Sequence, residues 1–278
     1  MPEGSRLSRR AFTGVFAAAF LLAAGACATP QAQQGAVGQQ RVSISTPGGN
    51  AEALLFTPAD GKGPGVVLWA DIGGLRPAIA DLGRQLAGEG FVVLAPNAFS
   101  RTVRLDGTTV SEVDGRTRFT EWRGAATDDA IASDSRAYIA FLDARPEVDK
   151  TAPLGAVGYD VGSAYSFIMA RTVPERVGAV AAIHPTATAM TRDNSPHLFV
   201  GQSRASYYVA LATDDDTREP EDKGQYRDEF ARAGITETVE VLPGDHGFAL
   251  PDNGNFQAAS ADLSWARMLS LLRMSSGQ

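Results

Sequence analysis

The sequence predicts an α/β protein: a mostly parallel sheet with helices on both faces and a β-hairpin at its N-terminal edge. Three observations lead there. Residues 65–71, 91–96, 154–159 and 177–183 are short apolar runs without polar alternation, as in strands covered on both faces. Stretches with helical spacing of apolar residues separate several of them. Strand, helix, strand at this spacing is a βαβ unit, and its crossover makes the neighbouring strands parallel.

Residues 1–26 read as a targeting segment. Ser8-Arg9-Arg10-Ala11-Phe12 resembles a twin-arginine export motif. The apolar run 17–26 is too short to span a bilayer comfortably and ends in small residues. Cys27, the only cysteine, follows Ala24-Gly25-Ala26, which is similar to a bacterial lipobox with Ala in place of Leu. Two outcomes stay open: a lipidated Cys27 that attaches the protein to a membrane, or cleavage after an Ala-x-Ala site. Both expect an exported, periplasmic protein. With one cysteine there is no internal disulfide.

Residues 27–40 are rich in Gln, Ala and Gly and read as a flexible tether, leaving 41–278 as one domain. Residues 41–45 and 51–57, split by Pro47-Gly48-Gly49-Asn50, form the expected hairpin. The strand at 65–71 precedes a helix over 79–88, with Ile79, Leu82 and Leu86 on one side. The strand 91–96 follows. Residues 97–124 read as a long irregular connection, and 125–142 as a helix. Strands at 154–159, 177–183, 207–212 and 236–242 complete the sheet. Helices at 163–171, 218–233 and 258–272 intervene and close the chain.

Composition excludes some functions. Hydrophobic residues make up 44% and charged residues 21% of the chain, enough for a sizeable core. The net charge is −7, which gives phosphate backbones nothing to bind, so no nucleic-acid partner is expected.

The chemistry centres on Gly158-Tyr159-Asp160-Val161-Gly162, a Gly-x-nucleophile-x-Gly turn between a strand and a helix. Its flanking glycines let the backbone pack closely while the central side chain protrudes. A histidine is needed late in the chain. Of His184, His197 and His246, only His246 fits, after the last strand and between Gly244 and Gly247. The acid belongs after the preceding strand, where Asp214-Asp215-Asp216 lies, and Asp216 is the expected member.

Four stretches together resemble the dienelactone hydrolase family of α/β-hydrolases: Asp71-Ile72-Gly73-Gly74-Leu75, Pro96-Asn97-Ala98-Phe99-Ser100-Arg101, the elbow, and Gly244-Asp245-His246-Gly247-Phe248. The resemblance implies an α/β-hydrolase fold, a Cys-His-Asp triad acting on small esters or lactones, and no cofactor. By position, Asp160 stands for the nucleophile, Asp216 for the acid and His246 for the base. The N–H groups of Ile72 and Val161 stand for the oxyanion hole. Asp71 matches a family glutamate near the nucleophile, and Arg101 an arginine that grips the substrate carboxylate. The family's second carboxylate-binding arginine is Leu250 here.

Aspartate at the elbow changes the chemistry. A carboxylate that attacks an ester carbonyl is expelled again far more readily than the alkoxide. At a saturated carbon it forms a stable alkyl ester that a His-activated water can cleave, as in dehalogenases and epoxide hydrolases of this superfold. Asp160 could instead act as a base on water, with Asp71 perturbing it, or the fold could bind a small ligand without turnover. Trp122, Tyr159 and His184 are candidate supporting residues. The expected partner is a small-molecule substrate, and oligomeric state is open.

Overall fold

The computed structural model describes residues 36–103, 115–186, 188–189 and 193–278. The export segment, Cys27 and most of the tether lie outside the described residues. The chain opens with β1 (Gly38–Thr46) and β2 (Gly49–Thr57), then β3 (Gly65–Trp69), α1 (Pro77–Gly88) and β4 (Val92–Pro96). After α2 (Gly115–Ala125) and α3 (Asp128–Asp143) come β5 (Leu154–Tyr159), α4 (Val161–Thr172) and β6 (Val177–Ile183). A 3-10 helix (Pro196–Gln202) leads to β7 (Ser206–Ala212), α5 (Thr213–Arg218), α6 (Asp222–Ala233), β8 (Glu237–Leu242) and α7 (Ala258–Ser276).

The eight strands form one sheet in the order β1-β2-β4-β3-β5-β6-β7-β8. β1–β2 and β2–β4 pair antiparallel, and every other pair is parallel. The central strands β3, β4 and β5 are buried at every residue, as their unbroken apolar runs require. One face packs Trp69, Val180 and Tyr207 with Ile139, Phe167 and Met169 of α3 and α4. The other packs Leu68, Val93 and Val157 with Ile79 and Leu86 of α1 and Met268 and Leu272 of α7. Leu86 is fully buried, and truncating such a side chain to Ala costs roughly 2–5 kcal/mol. These two cores hold still the C-terminal strand ends, where the loops carrying the site emerge.

Three expected boundaries move. The hairpin is longer than its apolar pattern, so β1 begins inside the expected tether at Gly38. The expected irregular connection contains α2, which seats a buried Trp122 on Phe99 with ring centroids 6.2 Å apart. The helix expected over 218–233 begins only at Asp222, because Pro220 separates it from the short α5 that ends at Arg218. Among the described residues no helix is long and apolar enough to cross a membrane.

Candidate active site

Asp160 stands alone between β5 and α4, with φ 49° and ψ −121°. A non-glycine residue at positive φ is strained, and here neighbouring backbone holds it. Its N–H donates to the Ile183 carbonyl at 3.1 Å, and its carbonyl accepts from the N–H groups of Ser163 (3.1 Å) and Thr186 (3.2 Å). The elbow glycines are sterically required. A Cβ on Gly158 would strike the Gly162 carbonyl, and one on Gly162 would lie 2.5 Å from the Ala70 carbonyl oxygen. The Ser163 hydroxyl is used inside the elbow, donating to the Gly158 carbonyl at 3.0 Å.

The Asp160 carboxylate is held on two sides. Oδ2 accepts from the Ile72 N–H at 3.3 Å, and Oδ1 lies 3.3 Å from His246 Nε2. Val161 opens α4, so its N–H belongs to the first turn, where amides have no intrahelical acceptor. His246 sits in the turn after β8, between Gly244 and Gly247 at φ 123° and 91°. Its N–H donates to Asp214 Oδ1 at 2.7 Å, and its carbonyl accepts from Asn255 Nδ2 at 2.9 Å. Its Nδ1 lies 2.8 Å from Asp215 Oδ2.

The carboxylate behind the imidazole is therefore Asp215, not the expected Asp216. The three aspartates open α5, and a helix turns each successive side chain by about 100°. Asp214 faces the His246 backbone and Asp215 its ring. Asp216 turns away and accepts from Lys223 Nζ at 2.7 Å. Composition could not separate the three; only the phase of a six-residue helix does.

Charge follows geometry. Burial alone would lower the His246 pKa, but hydrogen bonds and charge from Asp160 and Asp215 outweigh it and raise it to about 10. Burial pushes Asp160 upward, yet His246 and the Thr186 hydroxyl hold it below the ordinary carboxylate value. At neutral pH the site thus holds an imidazolium clamped between two carboxylates. His184, at the end of β6, has its ring centroid 5.1 Å from that of His246, edge-on. It is fully buried, and neither ring nitrogen has a hydrogen-bond partner. Burial and the nearby His246 charge lower its pKa to about 3, so it stays neutral. Tyr159 is buried beside it, with centroids 5.8 Å apart. Thr186 and Asp215 also line a cleft of about 450 Å³, together with Pro185, Leu211 and Arg123. Among the described residues no cluster of His, Cys, Asp and Glu could hold a metal ion.

Against this geometry, the model of the dienelactone hydrolase family matches residues 51–276. The chain belongs to the dienelactone hydrolase family. Membership places it among hydrolases. A carboxymethylenebutenolidase of Pseudomonas sp. (strain P51) is 31% identical over 126 residues, covering 44% of this chain and 51% of that one, about half its length. Among solved structures, a dienelactone-hydrolase-like promiscuous phosphotriesterase from metagenomic libraries shares the fold at TM-score 0.71 and 23% identity. That match covers 87% of this chain and 99% of the other. A cold-adapted esterase from an Arctic intertidal metagenomic library gives TM-score 0.63 at 17% identity, covering 87% and 95%.

Two positions carried over from the dienelactone hydrolase pattern have different partners from those expected. Arg101 is paired within the protein. Both its Nη atoms bind Asp134 of α3, Nη2 at 2.9 Å, because that buried carboxylate needs a cation. Asp71 is present beside Asp160 but is engaged by Arg76, with Nη2 to Oδ2 at 3.1 Å and a second bond from Nη1 to Oδ1. Leu250, where a second arginine would stand, is buried in the core. Arg76 and its other partner Asp252 escape a reading by sequence because they are 176 residues apart.

Proposed function

We propose that the protein is a hydrolase of small electrophilic substrates that works through Asp160, His246 and Asp215 and passes through an alkyl ester on Asp160. Substrates with an oxygen leaving group on saturated carbon, epoxides above all, suit this site best. The observation that carries the reading is the Ile72 N–H on Asp160 Oδ2 at 3.3 Å. In acyl transfer that N–H would bind the substrate's developing oxyanion. Here an oxygen of the enzyme's own carboxylate occupies it, so the tetrahedral carbon best served is Asp160 Cγ.

The steps balance. Asp160 Oδ1 attacks the saturated carbon, the carbon–oxygen bond of the epoxide breaks, and the leaving oxygen takes the proton on His246 Nε2. Esterified Asp160 carries no charge, so His246 loses one of its two carboxylates and its pKa falls just when a base is needed. Neutral His246 then takes a proton from water as the water attacks Cγ, and Ile72 holds the oxyanion on Oδ2. Collapse breaks the Cγ–O bond to the substrate. The departing alkoxide takes the proton from His246, and the carboxyl proton of Asp160 returns to the imidazole. Asp215 keeps the ring oriented throughout.

A second reading, hydrolysis of a small ester or lactone with Asp160 as base on water, is favoured by the family match and the carboxymethylenebutenolidase relative. One experiment separates them. Single turnover in H₂¹⁸O puts the label into Asp160 on the alkyl-ester route and directly into product on the base route. Intact-mass spectrometry of His246→Ala with an epoxide panel should show a trapped adduct on the Asp160 peptide. No adduct, no label and no turnover across epoxides, halides, esters and lactones would leave a ligand-binding protein. Export through residues 1–26 and acylation of Cys27 belong to the same proposal, and the mass of the mature N-terminus tests them.

A further inference from the structure

Asp71 and Asp160 are two buried carboxylates facing one site, and the proposed chemistry needs Asp160 ionised. Asp71 is 5% exposed and Asp160 8%. Like charges so placed share a proton unless something cancels one of them. The Arg76 side chain is 8% exposed and lies between Asp71 and Asp252. It binds both carboxylates in a bidentate fashion: Asp71 as described above, and Asp252 through Nε to Oδ2 (2.5 Å) and Nη2 to Oδ1 (2.9 Å). Such planar, two-sided pairing is specific to a guanidinium.

The backbone shows what this clamp secures. Asp71 Oδ1 also accepts the Gly73 N–H at 3.2 Å, and its carbonyl accepts the Gly74 N–H at 3.0 Å. Ile72, whose N–H meets Asp160, sits inside that turn. A side chain on Gly73 would collide with the Arg76 guanidinium. Asp252 lies on the other loop, the one that begins at His246 and folds back through Leu250 N–H to the Gly247 carbonyl (3.1 Å) and Asn253 N–H to the Leu250 carbonyl (2.9 Å).

We infer that Arg76 is a positioning residue of this site: it cancels the charge of Asp71 beside Asp160 and fastens the turn offering the Ile72 N–H to the loop carrying His246. The inference rests on the reading that Asp160 works as an ionised carboxylate. The groups facing Asp160 are His246, His184, Thr186, Asp71 and Tyr165; those facing Asp71 are Arg76, Asp252 and Asp160. Burial raises the Asp71 pKa, with Arg76 opposing it, which agrees with a carboxylate dependent on its arginine.

The test is a charge-sign experiment on the full chain, read by ¹³C-carboxyl and ¹⁵N-imidazole NMR titration and by the acid limb of the rate profile. Asp160 lies below the ordinary carboxylate range and Asp71 above it, so the upper carboxylate step of the pair is the one Arg76 governs. Asp71→Asn should remove that step, which assigns it. Arg76→Met should raise it by about 1 unit or more. Arg76→Lys, which keeps the charge but loses the fork, should leave the step near wild type and lower kcat on the order of 10-fold with KM little changed. If Arg76→Met does not fold, Arg76→Gln puts the same question. A merely structural arginine would leave the upper step in place when its charge is removed, and that result would overturn the inference. The titration needs no turnover, so a raised step in an inactive protein would uphold Arg76 and sink the proposed reaction. Turnover with an unmoved step would do the reverse.

Discussion

His184 and His246 lie 5.1 Å apart, yet one is driven to a pKa of about 3 and the other to about 10. Both lose water, which disfavours the charged ring. His246 recovers the loss through Asp160 on one nitrogen and Asp215 on the other. His184 has the same ring in the same neighbourhood and no partner on either nitrogen. Burial therefore does not make a histidine a base or an acid; the count of carboxylates it meets does. Two adjacent imidazoles also cannot both be cationic at modest cost, so a charged His246 helps keep His184 neutral.

The comparison breaks most sharply at Asp160. Asp160→Asn should abolish turnover by on the order of 10³-fold or more. It should also lower the His246 pKa, which a ¹⁵N titration reads directly; an unmoved His246 would mean that Asp160 does not set its charge. Next comes the choice between neighbouring aspartates. Asp215→Asn should cost on the order of 10²-fold or more in kcat, since the ring loses its orienting acceptor. Asp216→Asn should stay within about 3-fold, since it gives up only a partly exposed Lys223 pair. Equal losses in the two variants would remove Asp215 from the site.

A smaller effect separates the histidines by pH. His246 has a folded pKa above its unfolded value, so its stabilisation is fully present below about pH 6.5 and is lost as pH rises through about 10. His184 runs the other way. The unfolded chain takes up its proton below about pH 6.5 while the native ring resists to about pH 3, so stability falls across that window. Denaturant unfolding should show the acid-side slope shrinking in His184→Phe and the alkaline-side slope shrinking in His246→Gln. The least effect is expected near pH 8, where His184→Phe removes an unsatisfied polar ring and should raise the thermal midpoint by a few degrees, roughly 2–4 °C per kcal/mol for a domain of this size. A large drop instead would show that the strained backbone at His184, φ 36°, tolerates no other ring.

Much of this is legible in the sequence. The glycines of the elbow announced a strained turn at Asp160, and steric overlap at Gly158 and Gly162 is the reason. The late Gly-Asp-His-Gly stretch marked His246, which does lie beside Asp160. The choice among Asp214, Asp215 and Asp216 was not legible, because a one-residue step on a helix redirects the side chain and no spacing rule resolves it. The partner of Arg101 is hidden for a related reason: Asp134 stands 33 residues away in sequence.

What the chain determined by itself is local: apolar runs that must be buried on both faces, glycines where the backbone cannot carry a Cβ, and a carboxylate where a thiol or hydroxyl would be expected. Tertiary structure alone decided the pairing of charges, namely Asp215 with His246, Arg101 with Asp134 and Arg76 with Asp71 and Asp252. The reason is range. Steric and periodic constraints act over a few residues, whereas electrostatic partners are chosen in space from groups that folding brings within 4 Å of each other.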